Sequence, residues 1–554
     1  MRFKMDPVWL QSYPKNAKKT IDPDKYESIA EVIDEACIKF GPKTAFVNFG
    51  QELSYFDVKE MSDNFAYYLI NNLKLKKGDV IAIQMPNLLQ YPVVLYGAIK
   101  AGLIVVNTNP LYTARETKKV LIDSGAKAVV VCDNFVAKLE EILAETKVEN
   151  VITTQIGDFL PFVKKHITNF VIKNIKKMIP EYTGDYVDLN SALFLGKENP
   201  ADFPKLCSSD IALFQYTGGT TGKTKAAMLT HRNMIANMEQ MAEWITSGLG
   251  EARPMSLAPL PIYHVFTLSV NILGFFKMGM PNLLITNPRD LSGLIKDIKK
   301  YKPEMAIVVN TLLQALLQNE EFKKLDLSYM KLSVAGGMAL KGSVKEKWEK
   351  TTKSKVIEGY GLTEASPVVA CNPTDGTDVT GSIGIPIPST NVKIIDEDEN
   401  ELGFNEEGEL CVQGPQVMLG YWNQEGETKK TFTKDGWLKT GDFATIDEAG
   451  FLRILDRKKD MILVSGFNVF PNEVEDVLLE IEGVDDVAAI GVDSEKSGQV
   501  VKAFVVTKHK NVTKDIINDY ARKNLAGYKV PKIIEFVDDL PKNNVGKVLR
   551  RELR

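Results

Sequence analysis

The sequence predicts an α/β protein with a large N-terminal domain, in which sheets are flanked by helices, and a small α+β domain at the C-terminal end. Residues 128–132 and 304–309 are continuous apolar runs rich in β-branched side chains, which is typical of parallel strands covered on both faces. Residues 29–37 and 294–301 carry apolar side chains at helical spacing, and segments of this kind alternate with the strands.

The C-terminal part of the chain contains a succession of shorter elements. A strand is predicted at 450–455, before the charged run 456–460, where we expect the boundary between a domain of residues 1–458 and a domain of residues 459–554. Beyond it the pattern predicts a strand, a helix, two strands, a helix and a strand, at residues 461–464, 472–482, 487–491, 500–506, 513–525 and 533–537. A segment of this size can fold as a separate domain.

Composition and charge argue against several classes of protein. Hydrophobic residues make up 44% of the chain and charged residues 25%, as in ordinary globular proteins, so we expect neither disorder nor fibrous repeats. The 68 Lys and Arg residues nearly balance the 72 Asp and Glu residues, and the net charge of -4 predicts no nucleic-acid partner.

The cysteines and the apolar runs indicate a cytoplasmic protein. The five cysteines form no CxxC pair, so we expect no zinc or redox motif and reduced thiols. The N-terminus lacks the apolar core of a signal peptide. The best candidate for a membrane span, 261–276, contains His264 and ends at Lys277, so no span is predicted.

Residues 216–225 form the most informative stretch of the sequence, directly after the apolar run 211–214. The stretch contains three glycines, and it is rich in threonine and lysine; the candidate ligand-binding residues are Gly218, Gly219, Gly222, Thr217, Thr220, Thr221 and Lys225. Glycines let a backbone turn tightly against a ligand, and consecutive N–H groups in such a turn bind anions. Hydroxyl donors and a positive charge complete a predicted phosphate-binding loop.

Two other interpretations of this loop remain open. Residues 222–224, Gly-Lys-Thr, fit the end of a Walker A motif. Against that motif, Thr217 stands where its first glycine belongs, and residues 226–229 look like a strand rather than a helix. The other interpretation is a surface turn rich in Gly and Thr.

Six further segments, together with this loop, resemble the acyl-adenylate-forming superfamily in order and over nearly the whole length. The seven motifs occupy residues 216–233, 259–264, 336–338, 358–364, 436–442, 456–469 and 541–547. Several connecting segments are similar to the long-chain fatty acyl-CoA synthetases of bacteria in particular, at residues 85–92, 109–112, 286–290 and 414–422.

The resemblance implies ATP-dependent activation of long-chain fatty acids to acyl-CoA. The fatty acid carboxylate attacks the α-phosphate of ATP to give acyl-AMP and pyrophosphate, and the CoA thiol then displaces AMP. Fatty acid, ATP and CoA are the implied substrates, and Mg²⁺ is the implied cofactor. Two alternatives remain: a medium-chain or aryl-CoA ligase with the same chemistry, and a non-catalytic relative that binds acyl groups or nucleotides.

The resemblance also implies roles for single residues. Lys547 would act on the substrate carboxylate, together with His264 and with Thr363 at the α-phosphate, while Glu364 and Thr217 would hold Mg²⁺. ATP would be bound by the phosphate loop and by Gly336, Gly337, Glu358, Gly359, Tyr360, Asp442 and Arg457, with Tyr360 on adenine and Asp442 on the ribose. Structural alternatives exist: Glu364 can favour a helix N-terminus, and His264 can be an ordinary buried histidine.

The resemblance places further functions in the C-terminal part and in the acyl pocket. Lys459 matches the hinge about which the C-terminal domain turns between the two steps, although an exposed linker lysine is the alternative. Gly466 would line the CoA tunnel. The implied apolar pocket for the acyl chain contains Val265, Phe266, Val309, Leu312 and Ala335.

Ala226 departs from the superfamily pattern, which has glycine after the loop lysine. The added methyl group is harmless if the backbone is extended there, and it disturbs ATP binding if the position needs a positive φ.

Residues 159–179 predict peripheral contact with an anionic membrane. Apolar residues at helical spacing alternate with lysines in this segment, namely Val163, Ile167, Phe170, Ile175 and Met178 with Lys164, Lys165, Lys173, Lys176 and Lys177. Such a pattern suits a helix that lies in a lipid interface. The alternative is an ordinary amphipathic surface helix. A homodimer is a further expectation.

Overall fold

The computed structural model describes residues 7–217, 224–465, 467–494, 497–509, 511–543 and 546–554. The strands are β1 (Thr44–Asn48), β2 (Gln51–Ser54), β3 (Val80–Gln84), β4 (Ile104–Asn107), β5 (Ala128–Cys132), β6 (Asn150–Thr154), β7 (Val187–Asp188), β8 (Ile211–Thr217), β9 (Lys225–Thr230), β10 (Ser256–Ala258), β11 (Asn282–Leu284), β12 (Met305–Val308), β13 (Leu332–Ala335), β14 (Lys355–Gly361), β15 (Val368–Cys371), β16 (Ile385–Pro386), β17 (Asn391–Ile395), β18 (Gly408–Gln413), β19 (Leu438–Ile446), β20 (Leu452–Arg457), β21 (Ile462–Val464), β22 (Phe467–Val469), β23 (Asp486–Ser494), β24 (Gly498–Val506) and β25 (Ile533–Val537).

The helices are α1 (Ile29–Phe40), α2 (Tyr55–Tyr67), α3 (Gln90–Lys100), α4 (Ala114–Ser124), α5 (Val136–Leu143), α6 (Phe162–Phe170), α7 (Leu189–Glu198), α8 (His231–Leu249), α9 (Val265–Thr267), α10 (Phe276–Met278), α11 (Leu291–Tyr301), α12 (Asn310–Gln318), α13 (Glu320–Lys323), α14 (Gly342–Thr352), α15 (Glu425–Thr431), α16 (Pro471–Leu479) and α17 (Lys514–Asn524). A π turn, Val171–Ile175, continues α6, and a longer π segment, Leu268–Phe275, joins α9 to α10.

Two large sheets form the N-terminal part of the fold, as the fold class predicts. Nine strands lie in the order β16-β15-β14-β13-β12-β10-β11-β1-β2, and seven lie in the order β7-β6-β5-β3-β4-β8-β9. The predicted strands at 128–132 and 304–309 are β5 and β12, and each is buried along its whole length between parallel neighbours. Continuous apolar runs therefore mark the inner strands of these sheets.

The C-terminal elements follow the predicted order. An antiparallel sheet, β17-β18-β19-β20, precedes a second small sheet, β22-β21-β24-β23, to which β25 adds in parallel to β24. The sequence pattern missed β22, a three-residue strand paired with β21. One buried apolar cluster runs through the chain as far as Leu452, and a separate cluster begins at Ile462.

Strand ends bring the motifs together. In a parallel sheet the carboxyl ends of the strands lie at one edge, where open α/β sheets bind their ligands. The motif residues His264, Gly336 and Thr363 follow β10, β13 and β14, three strands of the nine-stranded sheet. None of the helices in the described part of the chain combines the length and apolarity needed to cross a bilayer.

Candidate active site

A cavity of about 1740 Å³ lies at this edge and extends to the C-terminal tail. Most of the described residues that the sequence assigned to the site line it, namely Thr217, Lys225, His264, Gly336, Gly337, Glu358, Gly359, Tyr360, Thr363, Glu364, Asp442, Arg457, Lys459 and Lys547. Residues 218–222 and Gly466, which the resemblance also assigned to ATP and CoA binding, lie outside the described residues.

We name the parts of the cavity by the roles that the resemblance implies: a base end, a ribose end, a phosphate end and an acyl pocket. The base end is shaped by glycines and by a buried carboxyl group. A side chain at Gly336 would place its Cβ 2.9 Å from the ring of Phe266, and Gly337 has a φ of +77°, so neither position accommodates a larger residue without strain. Glu358 Oε1 accepts a hydrogen bond from the backbone N–H of Leu340 at 3.1 Å. Burial raises the pKa of the Glu358 carboxyl to about 8.

Replacing Glu358 by glutamine is expected to change ATP affinity by less than about twofold, because the amide oxygen can accept the same hydrogen bond. The folded protein keeps this carboxyl protonated up to about pH 8, whereas the unfolded chain ionises it near the usual pKa of 4.5. Wild-type stability therefore falls as pH rises through this window, and the glutamine variant lacks this contribution. The difference in melting temperature, variant minus wild type, should therefore increase between pH 5 and pH 8, by on the order of 2 °C. A difference that does not depend on pH would contradict this prediction.

The ribose end is organised by Asp442. The hydroxyl of Tyr360 donates to Asp442 Oδ2 at 2.5 Å, and the Nε of Arg457 lies 3.6 Å from Asp442 Oδ1. The register of the β19–β20 pair sets Asp442 opposite Arg457. The sequence proposed these three residues separately, and it gave no sign that Tyr360 would bond directly to the carboxylate.

Replacing Tyr360 by phenylalanine removes one donor and keeps the ring. We expect the KM for ATP to rise about tenfold, because a hydrogen bond to a charged group is lost while stacking remains. Steady-state kinetics at saturating fatty acid and CoA measures the change, and Tyr360→Leu, which also loses the ring, should be weaker still. An unchanged KM in the phenylalanine variant would show that the hydroxyl does not position Asp442.

The phosphate end contains contacts that the sequence analysis missed. Lys225 Nζ forms an ion pair with Glu427 Oε2 at 2.7 Å and lies 4.9 Å from the ring centroid of Tyr421. The hydroxyl of Tyr421 donates to Glu364 Oε1 at 2.6 Å. Glu427 lies outside the motifs, and the segment 414–422 that contains Tyr421 gave no sign of these contacts, so only proximity in the fold connects the two residues with the loop.

Ala226 lies within β9, opposite Tyr216 of β8, and is fully buried. Its backbone is extended, so the methyl group that replaces the usual glycine introduces no positive-φ strain. The strand conformation of residues 225–230 also excludes the helix that a Walker A motif requires at this point.

The residues near Glu364 fit a magnesium ion held mainly by phosphate oxygens. Within the described ranges, no three His, Cys, Asp or Glu side chains come together as a metal cluster. Glu364 lines the cavity with a carboxylate that receives the Tyr421 hydroxyl and retains further lone pairs, and Thr217 lines the same cavity. Magnesium takes one or two carboxylates plus substrate phosphates, which is the donor set offered here.

Positive charge is concentrated around Lys547. Burial, followed by the charge of Arg457, lowers the pKa of the Lys547 ammonium to about 7. Burial and the charge of Lys547 lower the pKa of His264 to about 4, so this imidazole is neutral at pH 7. His264 Nδ1 accepts the N–H of Phe266 at 3.4 Å, which assigns the proton to Nε2. The fold thus places the basic side chain of Lys547 and the neutral imidazole of His264 in the same cavity.

A short turn places Lys547 in the cavity. The backbone N–H of Asn543 donates to Lys547 O, and Lys547 N–H donates to Asn543 Oδ1, both at 2.8 Å. Gly546, with a φ of +80°, lies so close that a Cβ there would overlap the hydroxyl of Thr311. Three residues after Lys547, Arg550 Nη2 forms an ion pair with Glu475 Oε1 at 2.8 Å, which holds the C-terminal segment in place.

The acyl pocket is larger than the sequence indicated. Val265, Phe266 and Val309 line the cavity as predicted. Leu312 and Ala335 are buried core residues and are absent from the described lining. Additional apolar residues from α8, the π segment and the nine-stranded sheet form the wall, among them Met241, Trp244, Ile245, Val270, Phe275, Ile307 and Cys371. Because these residues are remote in sequence, no local pattern could have united them.

Comparison with known proteins identifies relatives over the full chain. Residues 33–422 match the AMP-binding enzyme family, and residues 473–547 match the C-terminal domain of AMP-binding enzymes. The chain is 50% identical, over 99% of its length and 98% of the relative, to the long-chain-fatty-acid–CoA ligase of Salmonella typhimurium. It is 38% identical, over 98% of its length and 97% of the relative, to the enzyme of the same name from Bacillus subtilis.

Solved structures share the fold. The crystal structure of ATP-bound MatB from Rhodopseudomonas palustris superposes with a TM-score of 0.82 at 28% identity, covering 95% of this chain and 98% of that one. The anthranilate CoA ligase AuaEII in complex with anthranoyl-AMP superposes with a TM-score of 0.84 at 23% identity, covering 96% and 98%. Motifs, cavity and full-length matches agree, and the chain belongs to the AMP-binding enzyme family.

Proposed function

We propose that the protein is a long-chain-fatty-acid–CoA ligase that uses ATP and CoA and releases AMP and pyrophosphate. The observation that carries the proposal is the single cavity that joins the Asp442 end to an apolar wall, with Lys547 and His264 between them. An adenylate needs this order, because its acyl chain, reacting carboxyl and nucleotide lie in line. Full-length relatives of this name, at up to 50% identity, support the acyl specificity.

In the first step, the carboxylate of the fatty acid must approach the α-phosphate of ATP against electrostatic repulsion. Protonated Lys547 donates to the carboxylate and to the oxygens on which negative charge develops, and Thr363 donates to the α-phosphate. Neutral His264 offers its Nε2–H to the same carboxylate. Asp442 accepts the ribose hydroxyls, and the apolar wall excludes water from the acyl chain. A magnesium ion beside Glu364 and Thr217 would neutralise phosphate charge.

In the second step, the CoA thiol needs the space that Lys547 fills. We propose that the C-terminal domain, residues 459–554, turns about Lys459 after pyrophosphate leaves, and that Gly466 then lines the CoA tunnel. Support comes from residues 458–461, which connect β20 to β21 outside both apolar clusters, because a short connecting segment can absorb a backbone rotation without breaking a strand pair.

Acyl-CoA formation from ATP, Mg²⁺, CoA and fatty acids of graded length tests the function. Thioester formation that peaks at long chains supports the proposal. A peak at medium chains or with aryl acids would identify a medium-chain or aryl-CoA ligase. Pyrophosphate release without thioester would indicate an acceptor other than CoA. No turnover, with ATP still bound, would leave a non-catalytic binding relative. Each of these last three outcomes would contradict the proposal.

We also propose a cytoplasmic protein that contacts an anionic membrane peripherally through residues 159–179, where exposed apolar side chains alternate with lysines. This contact would bring the enzyme to a substrate that partitions into bilayers. A homodimer remains a prediction, and multi-angle light scattering of the purified protein measures it.

A further inference from the structure

The helix α6 and its π turn are oriented on the protein in an unusual way. None of the residues from Phe162 to Ile175 is buried. Six apolar side chains of the segment are between 52% and 77% exposed, namely Phe162, Val163, Ile167, Phe170, Ile175 and Met178, whereas Val171 and Ile172 of the π turn are partly buried. An ordinary amphipathic surface helix packs such side chains on the core, so that interpretation of the segment does not describe this structure.

Polar contacts hold the opposite face of α6 to the protein. Lys165 Nζ forms an ion pair with Asp158 Oδ1 at 3.2 Å. Asn169 accepts the backbone N–H of Gly157 at 2.8 Å and donates to Asp158 Oδ1 at 3.3 Å. Lys165 and Asn169 are one helical turn apart and therefore lie on one face. The helix thus faces inward with its polar residues and outward with its apolar ones.

The outward face has a basic border. Lys164, Lys173, Lys176 and Lys177 are exposed, whereas Lys165 is occupied by Asp158. Apolar side chains surrounded by lysines are the composition that binds the interface of an anionic bilayer, where the apolar groups enter the acyl region and the ammonium groups remain among phosphates.

Two other elements extend this face, which the sequence could not show. Lys164 Nζ donates to the carbonyl of Phe49, an exposed residue in the turn between β1 and β2. A Cβ placed on Gly50 would lie 3.2 Å from Lys164 Nζ and 3.5 Å from Lys300 Nζ of α11. The exposed ring of Phe49 and the ammonium group of Lys300 therefore adjoin α6. The carboxylates of Glu52 and Asp297 lie near Lys300.

Charge selects a lipid surface over a second copy of this chain. A twofold dimer through this face would bring the basic borders of both copies into one interface, and like charges repel at such a contact. An anionic bilayer supplies the opposite charge and an apolar phase together.

We propose that the outward face of α6 and its π turn, with Phe49 and Lys300, is a docking surface for anionic phospholipid bilayers. This proposal rests on the membrane contact proposed above. It adds which face of α6 contacts the lipid and which residues distant in sequence, Phe49 and Lys300, belong to the same surface. The inward anchors Asp158 and Asn169 hold the apolar face away from the protein, ready for the bilayer.

Flotation of the full-length protein with vesicles tests the surface, using phosphatidylcholine alone and phosphatidylcholine mixed with phosphatidylglycerol. Ile167→Ser/Phe170→Ser removes apolar contacts, Lys173→Glu/Lys176→Glu reverses charge, and Phe49→Asn/Lys300→Glu tests the added elements. Ile38→Ser on α1 is the matched control, since Ile38 is 73% exposed and belongs to another element. We expect each double variant to bind mixed vesicles about tenfold more weakly, with the control unchanged.

Some outcomes overturn the inference. Equal binding of wild type to both kinds of vesicle, or wild-type binding by the α6 variants, would exclude this surface. Loss of binding in the α6 variants alone, with Phe49→Asn/Lys300→Glu unaffected, would refute the composite face while the membrane contact stood. A dimer in light scattering that the α6 variants abolish, without vesicle binding, would assign the face to a second copy. Acyl-CoA formation from a long-chain fatty acid dispersed in detergent is measured in parallel, because this assay does not need vesicle binding and fails if the proposed activity itself is wrong.

Discussion

Replacing Lys547 by alanine should slow acyl-AMP formation by about 10²–10³-fold, the usual effect of removing one preorganised donor from a site of developing charge. Lys547 lines the cavity in the vicinity of His264, Asp442 and Arg457. ATP–pyrophosphate exchange measures this step. Thioester formation from preformed acyl-AMP should fall far less, because Lys547 is not required there. Equal losses in both steps would refute the assignment.

The low pKa of Lys547 adds a pH signature to this prediction. Its ammonium has a pKa of about 7 because it is buried and lies near Arg457. Only the protonated amine stabilises the carboxylate, so kcat/KM for acyl-AMP formation should fall as pH rises through about 7. Lys547→Arg is the matched control: a guanidinium stays protonated, so its lower activity should not show this fall. An identical pH profile in both proteins would assign the titration to another group.

Replacing Lys459 by proline should leave acyl-AMP formation close to wild type and reduce thioester formation by about 10²-fold, the effect of small misplacements of reacting groups. In the structure, the amides of Asp460 and Met461 donate to Arg457 O, and Lys458 donates to Gly441 O. Proline at 459 removes none of these donors. It fixes φ at its own position and restricts Lys458, so the rotation needed for the second step is blocked.

The two half-reactions distinguish a hinge from an ordinary linker residue. Lys459→Ala removes the same side chain and leaves the backbone free, so it should form thioester at a rate near that of wild type. A proline variant that still forms thioester at the wild-type rate would exclude rotation at this residue. Loss of both steps in the proline variant, with the alanine variant active, would instead mean that the present conformation also depends on this position.

Much of the fold was predictable because burial leaves a local signature. The runs that became β5 and β12 are apolar throughout, since both faces of these strands are covered. The C-terminal helices α16 and α17 and the strand β25 lie within a few residues of their predicted positions. The strand β22 was missed because three residues are too few to show a period.

The residues of the candidate site were predictable where they belong to a short sequence motif. Glycines beside threonines and a lysine are typical of a phosphate-binding loop, and the named motif residues of the described ranges meet in one cavity. The acyl wall was predicted only in part. Leu312 and Ala335 are in the core, while Met241 and Trp244 come to the cavity from α8. A hydrophobic residue has the same sequence signature whether it faces a core or a pocket.

By itself, the sequence determined the α/β class, the succession of strands and helices in the C-terminal part, the motif residues and the existence of an amphipathic segment at 159–179. Only the tertiary structure decided that Tyr360 bonds to Asp442, that Glu427 pairs with Lys225 and that α6 turns its apolar face outward. The reason is the same in each case. Periodicity and motifs reflect the preferences of each residue and its neighbours in sequence. Hydrogen-bond partners, and the side of a helix that packs on the protein, depend on other groups of the fold, such as Asp158 for α6.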